Sequence, residues 1–131
     1  MPVQRPVRYH GLSGLSSAQW KETAMLDSLE KMLAKGMDNS MLRFGLGKGH
    51  LDAGNAAQAV AHLQRCVEQD PKYSAAWKLL GKALQASGDA VGARSAWEQG
   101  LIAAQAQGDK QAEKEMSVFL RKLNKQGAQE I

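Results

Sequence analysis

Two consecutive stretches of this chain read SMLRFGLGKGHLDAGNAAQAVAHLQRCVEQDPKY (Ser40–Tyr73) and SAAWKLLGKALQASGDAVGARSAWEQGLIAAQAQ (Ser74–Gln107). Each stretch is 34 residues long, and identical residues recur when one is written above the other. The identical pairs include Leu46 and Leu80, Gly47 and Gly81, Lys48 and Lys82, Gly54 and Gly88, and Ala59 and Ala93. A fixed period of this length indicates a repeat protein, in which each copy is one supersecondary unit stacked on the next.

The composition indicates that these units are helical. The 131 residues suffice for one domain, and 44% hydrophobic with 23% charged residues excludes a disordered chain. Six Val, two Ile and one Thr stand against twenty Ala, which leaves little material for a sheet. We therefore predict an all-α protein.

The cellular setting follows from the cysteine count and the hydropathy. A single cysteine, Cys66, cannot form an internal disulfide, and the chain has no apolar stretch long enough to span a membrane. We expect a soluble protein of a reducing compartment, with the cytoplasm as the default location and no membrane partner.

The flanks of the two copies divide the rest of the chain. Residues 1–16 carry two prolines and no acidic residue, and we predict a disordered tail there; alternatively, translation begins at Met25. Apolar residues at helical spacing predict a helix over 17–35, which ends at Gly36. A Gly-Asp pair then opens a predicted capping helix over 109–125. The predicted domain is 17–125, followed by a flexible tail over 126–131.

The repeated pattern resembles the tetratricopeptide repeat, a helix-turn-helix unit of the same length. The places that match the family pattern are Leu46, Gly47, Ala59 and Pro71 in the first copy and Trp77, Leu80, Gly81, Ala93 and Trp97 in the second. Leu63 of the first copy is an apolar replacement for the aromatic residue that the pattern has there. The resemblance implies a short right-handed α-α superhelix of about six helices. These are an amino-terminal helix, two repeat pairs over 40–73 and 74–107, and the capping helix.

The resemblance also implies a function. Members of the family are generally non-catalytic modules that bind other proteins on a concave face, which the first helix of each repeat lines. The family's groove places fall on Met41, Phe44, Lys48 and Leu51 in the first copy and on Lys78, Lys82 and Gln85 in the second. Such a groove has an apolar end and a basic end, suited to a peptide with acidic groups. The alternative is that the apolar members pack against the amino-terminal helix and the lysines are ordinary solvated charges.

Catalytic and metal motifs are not found in the sequence. The glycine-rich segment Gly45–His50 lacks the spacing of a phosphate-binding loop. His10, His50 and His62 are too scattered for a metal motif, and Cys66 has no neighbouring cysteine. We predict no enzyme activity, no cofactor and no metal, with His50 a satisfied buried histidine and Cys66 an inert packed thiol.

Two other functions remain open. One is a self-associating structural protein, a homo-oligomer whose groove is filled by its own amino-terminal segment or by another copy. The other is a weak binder of an anionic polymer such as RNA, based on the net charge of +4 and the basic cluster Arg121, Lys122 and Lys125. Nucleic acid is the less favoured partner, because aromatic residues that could stack on bases are scarce.

Overall fold

The computed structural model describes residues 17–130, and side chains from residue 24 to residue 126. Within that range the chain forms six α-helices and no strand. They are α1 (Ser17–Ala34), α2 (Ser40–Asp52), α3 (Ala56–Gln69), α4 (Ser74–Ala86), α5 (Ala90–Gln107) and α6 (Lys110–Glu130). The predicted all-α architecture is confirmed, and the predicted tail over 1–16 lies outside the described residues. None of the helices in the described range is both long enough and apolar enough to cross a bilayer.

The sequence predicts helices over 17–35 and 109–125, and the structure has Ser17–Ala34 and Lys110–Glu130. The sequence analysis ends the last helix at residue 125 and starts a flexible tail at 126, whereas α6 continues to Glu130. The correction has a physical reason: Gln126, Ala128, Gln129 and Glu130 are all compatible with a helix, and a single Gly127 is not enough to stop one.

The helices stack in chain order as a solenoid. Helices α2 and α3 form one antiparallel hairpin, α4 and α5 form a second, and α3 packs on α4 to join them. Helix α1 packs on α2, and α6 packs on α5. The first helices of the hairpins are also neighbours, since α2 contacts α4 and α4 contacts α6. Helices α2, α4 and α6 therefore form one layer of the molecule.

Each hairpin turns through a glycine. Gly54 and Gly88 have φ values of +83° and +87°. These values lie in the left-handed region, which residues with a Cβ atom rarely adopt. The Asp89 side chain then accepts a hydrogen bond of 2.8 Å from the Gly92 amide and so caps α5. The equivalent residue of the first copy, Asn55, makes no side-chain cap bond, so the two turns share a backbone but not a cap.

Inside each hairpin a helical glycine faces a large side chain. A Cβ on Gly47 would overlap the Leu63 side chain, and a Cβ on Gly81 would overlap the Trp97 indole. Leu63 and Trp97 are almost fully buried, and the Trp97 Nε1 donates a hydrogen bond of 3.1 Å to the Lys78 carbonyl. The two pairs occupy equivalent places in the two copies, as the repeat predicts.

The other two glycines of α2 receive the amino-terminal helix. A Cβ on Gly45 would lie 3.1 Å from Leu29 Cδ1, and a Cβ on Gly49 would lie 2.9 Å from Leu26 Cδ1. Each glycine weakens α2 by about 0.5–1 kcal/mol relative to alanine, yet both allow α1 to approach the α2 backbone closely. The glycine-rich segment is therefore a docking surface for α1.

The Gly81–Trp97 contact can be tested by Gly81→Ala. The added methyl group should force the indole off its place and lower the free energy of unfolding by about 1–3 kcal/mol, despite the better helix propensity of alanine. Urea denaturation measures the difference, with Ser95→Ala on the exposed face of α5 as the control. A Gly81→Ala protein as stable as the parent would contradict the close approach described here.

Candidate functional site

The predicted groove residues of α2 form one stripe along the helix. Exposed and half-buried side chains alternate along this stripe. Met41 is 77% exposed and Lys48 is exposed, whereas Phe44 and Leu51 are half-buried against the core. The Phe44 ring stacks on Tyr73, with centroids 4.8 Å apart and planes inclined by 18°. Phe44 is therefore held by the end of the first repeat, and its ring forms a fixed wall.

Two of the predicted groove residues of α4 contact the last helix. Lys78 Nζ lies 2.9 Å from Glu115 Oε2, and Lys82 Nζ lies 5.0 Å from the centre of the Phe119 ring. Gln85, one turn further on, is exposed. Both lysines thus find a partner on α6, an ion pair for one and a cation–π contact for the other.

The Lys78–Glu115 pair sets the charge of this end of the layer. Hydrogen bonds from Lys78 and then from Gln111 hold the pKa of Glu115 below its ordinary value. At neutral pH the carboxylate is ionised and compensates the Lys78 charge. An acidic ligand must compete with Glu115 for Lys78, whereas Lys48 on α2 lies exposed at the surface.

Shallow depressions lie along the layer, and two of them are lined by predicted groove residues or by residues that contact those. The larger, about 450 Å³, is lined by Met41 near the start of α2, by Tyr73 and Ala75 around the start of α4, and also by Lys72 and Asp109. The smaller, about 330 Å³, is formed on α6, and its lining residues are Gln111, Lys114, Glu115, Val118 and Phe119.

The sequence analysis did not assign Tyr73 or the α6 residues to the groove. Tyr73 lies in the turn between the copies, outside any helical stripe, and no local pattern marks it. Phe119 had a signal, because a further step of 34 residues carries the place of Gln85 onto Phe119. The helix α6 thus stands where a third repeat would put its first helix.

The basic cluster is present as predicted. Arg121, Lys122 and Lys125 line a depression of about 270 Å³ together with Val118. The neighbouring aromatic ring of Phe119 is tilted against Trp97, with centroids 5.2 Å apart, and lies under Lys82. A nucleobase that stacks on this ring would have to compete with the Lys82 contact.

The histidines differ from the sequence expectation. His50 and His62 were expected to be scattered, but the antiparallel arrangement of α2 and α3 stacks their rings with centroids 5.3 Å apart. His50 is 8% exposed, and its Nε2 lies 2.7 Å from Glu30 Oε1, so it is a buried histidine with a hydrogen-bond partner. Burial is the main cause that lowers the pKa of His62, which favours the neutral ring. His10 lies outside the described residues.

The cysteine is buried beneath the start of α2. Its Sγ donates a hydrogen bond of 3.2 Å to the Ser40 carbonyl, and burial raises the pKa of the Cys66 thiol to about 11. A thiol that stays protonated at neutral pH is a poor nucleophile and a poor metal ligand. The geometry of Cys66 supports a packing role.

Asp109 gives the stability an acid dependence that can be measured. Its carboxylate accepts hydrogen bonds from the Ala112 amide and the Ser74 hydroxyl, which lower its pKa in the folded state. A lowered pKa means that the stabilisation is present above the unfolded-state value of about 4 and is lost as the pH falls through the folded-state pKa. We expect the melting temperature to decrease more steeply in acid for the parent than for Asp109→Asn.

Thermal melting from about pH 6 to about pH 2 measures that difference, because this range spans the pKa of an aspartate in the unfolded chain. Asp27→Asn, on the exposed surface of α1, is the matched control and should follow the parent curve. Equal acid losses in the parent and in Asp109→Asn would mean that Asp109 does not contribute.

Comparison with known proteins agrees with the repeat found in the sequence and the structure. The sequence model of the tetratricopeptide repeat matches residues 50–113. The TPR repeat-containing protein PA0015 of Pseudomonas aeruginosa is 74% identical over 101 residues, which are 77% of this chain and 96% of that protein. The solution structure of protein BPP2914 from Bordetella parapertussis has a TM-score of 0.70 at 51% identity and covers 80% of this chain and 91% of that one.

A more distant structure has the same fold. The crystal structure of the Sgt2 TPR domain from Aspergillus fumigatus has a TM-score of 0.65 at 21% identity, and the match covers 95% of this chain and 83% of that one. With the repeat period, the stacked hairpins and the close relative in agreement, this chain belongs to the tetratricopeptide repeat family.

Proposed function

We propose that this protein is a non-catalytic interaction module that binds a peptide segment of a partner protein along the layer of α2, α4 and α6. The observation that carries the proposal is Met41, a large apolar side chain left 77% exposed at the edge of a depression that α2 and α4 share. Exposed methionine is common at peptide-binding surfaces, because its flexible side chain adapts to different partners. Family membership supports the same class of function, since tetratricopeptide repeats generally bind proteins.

The side chains along the layer have distinct roles in this proposal. Met41 is an apolar anchor, and the stacked rings of Phe44 and Tyr73 form a rigid wall beside it. At the other end Leu51 adds apolar surface, and Gln85 provides a hydrogen-bonding group. A rigid wall lowers the ordering cost of binding, since fewer side chains lose freedom when the peptide arrives.

The lysines select the charge of the peptide. Lys48 and Lys82 are exposed and can pair with acidic groups, while Lys78 must first exchange Glu115 for the ligand. Each exposed pair contributes only about 0.2–1 kcal/mol, so the apolar contacts supply most of the affinity and the lysines supply the preference. The proposed partner is therefore an acidic peptide with apolar residues, met in the cytoplasm.

Self-association is the second function that an observation favours. Met25 and Met37, on α1 and in the turn after it, are 64% and 49% exposed and offer apolar surface to another copy of the chain. Light scattering over a concentration series distinguishes the two functions. A constant monomer mass at every concentration rejects association between copies of the chain.

Binding of an anionic polymer has weaker support. The cluster Arg121, Lys122 and Lys125 offers three positive charges, and the Phe119 ring beside it is already engaged by Trp97 and Lys82. A binder of this kind loses affinity steeply as the salt concentration rises. An affinity for RNA that does not change with salt would reject this function.

The groove can be tested with an array of synthetic peptides that combine acidic, basic and apolar residues. We expect the parent to retain acidic peptides with apolar anchors, and the triple variant Lys48→Glu, Lys78→Glu, Lys82→Glu to lose them by about tenfold or more, since attraction becomes repulsion at three places. Circular dichroism verifies that the variant is folded.

The matched control changes the same amount of charge elsewhere. Lys31→Glu, Lys35→Glu, Lys110→Glu alters three exposed lysines that do not line the proposed groove, so it should bind as the parent does. Equal binding by the groove variant and the control would contradict the groove assignment. If the groove variant and the control both lost the acidic peptides to the same extent, the net charge of the protein and not the groove would determine binding, and the groove assignment would again be contradicted.

A further inference from the structure

Three side chains that commonly bind metals meet where α1 crosses the first hairpin. Glu30 comes from α1, His50 from α2 and His62 from α3, and one ligand atom of each lies within 4.8 Å of the others. The Glu30 Oε1 is 2.7 Å from His50 Nε2 and 3.8 Å from His62 Nε2. We propose that Glu30, His50 and His62 form a binding site for a divalent transition-metal ion such as Zn²⁺.

The donor set fits that class of ion. Two imidazole nitrogens and one carboxylate oxygen suit Zn²⁺, Co²⁺ or Ni²⁺, whereas Mg²⁺ and Ca²⁺ prefer oxygen ligands alone. Ligand atoms around a tetrahedral zinc ion lie about 3.3 Å apart, given bonds of about 2.0–2.1 Å. The two distances from Glu30 Oε1, 2.7 Å and 3.8 Å, lie on either side of that value. The two imidazole ligand atoms lie within 4.8 Å of each other, so side-chain rotations must adjust all three spacings toward that value.

The two histidines of the site are largely buried, and the glutamate is partly exposed to solvent. The His50 and His62 side chains are only 11% and 13% exposed, and the Glu30 side chain is 42% exposed. The rings are held by packing on α2 and α3, and an ion enters from the Glu30 side. Three protein ligands leave one position of a tetrahedral ion for water.

The hydrogen bonds at the Nδ1 atoms of His50 and His62 affect the free energy of metal binding. A metal on Nε2 requires the proton on Nδ1, and that proton needs an acceptor. Asn55 lies 3.4 Å from His50 Nδ1 and can offer its amide oxygen by turning the amide. Arg43 Nη1, by contrast, lies 3.1 Å from His62 Nδ1 and can only donate, so it opposes metal binding at His62 until it moves.

Two further adjustments accompany binding. The rings are parallel to within 7°, so one ring must tilt for both lone pairs to meet at one ion. Arg43 is held by Asp38 through two hydrogen bonds of 2.8 Å, which it keeps if only the Nη1 contact is given up. These costs lower the affinity but leave the ligand set intact.

The ion would join the amino-terminal helix to the first hairpin. Glu30 is the contribution of α1, and both histidines belong to the hairpin of α2 and α3. Because the three residues are far apart in the unfolded chain, an ion that binds them favours the folded state. Metal would therefore strengthen the docking of α1 on α2.

The test uses the full chain, freed of metal with a chelator, and Zn²⁺ and Co²⁺ as probes. Calorimetry with Zn²⁺ should give one saturable site per chain, and Co²⁺ should give a visible absorption band of tetrahedral type. The melting temperature should rise with Zn²⁺ and return when the chelator is added. Absence of a saturable site in the parent would overturn the proposal.

Ligand variants identify the residues. His62→Ala should weaken Zn²⁺ binding by about tenfold or more and abolish the melting shift. Glu30→Gln keeps the size of the side chain and removes the carboxylate, so it should weaken binding even if a variant of the buried His50 fails to fold. His10→Ala and Cys66→Ser are controls and should bind as the parent does. Equal affinity in His62→Ala and the parent would contradict the site.

Arg43→Gln tests the opposing contact. The glutamine amide oxygen can accept the His62 Nδ1 proton, so this variant should bind Zn²⁺ more tightly than the parent. Weaker binding in Arg43→Gln would contradict metal ligation through His62 Nε2.

Discussion

The contact between a helical glycine and a large side chain in each hairpin sets the geometry of the whole molecule. Gly47 receives Leu63 and Gly81 receives Trp97, and neither pair leaves room for a Cβ on the glycine. The close approach at this contact fixes the distance between the two helices of the hairpin. The other side chains between the helices must pack at that distance, because protein interiors are close-packed. Because the pairs are equivalent, the two hairpins present matching surfaces and can stack with the same geometry.

The layer of α2, α4 and α6 is a consequence of that stacking. Hairpins that repeat one geometry place their first helices side by side, so a stripe on α2 continues onto α4 and then α6. The last helix closes the stripe, where Glu115 pairs with Lys78 and the Phe119 ring lies 5.0 Å from the Nζ of Lys82, which stays exposed. The open part lies at the starts of α2 and α4, around Met41 and Tyr73.

The features that sequence reasoning predicted are those encoded within one repeat. The period, the small residues at Gly47 and Gly81, and the large residue at Trp97 are visible because copies can be compared. The features it missed depend on how separate helices meet. The Phe44–Tyr73 stack, the partners of Lys78 and Lys82, and the grouping of the histidines with Glu30 join residues that no local window contains. The end of α6 was missed for another reason: the sequence carries no strong stop signal there.

The docking of α1 gives the array unequal ends. Helix α1 packs mainly on α2, whereas α6 at the other end contacts both α4 and α5. In a linear array the cost of opening is set by the interfaces broken, and detachment of α1 breaks mainly its interface with α2. Such an opening would uncover the backbone at Gly45 and Gly49, where Leu29 and Leu26 had rested. A helix with leucines at the spacing of Leu26 and Leu29 would fit the surface that α1 leaves.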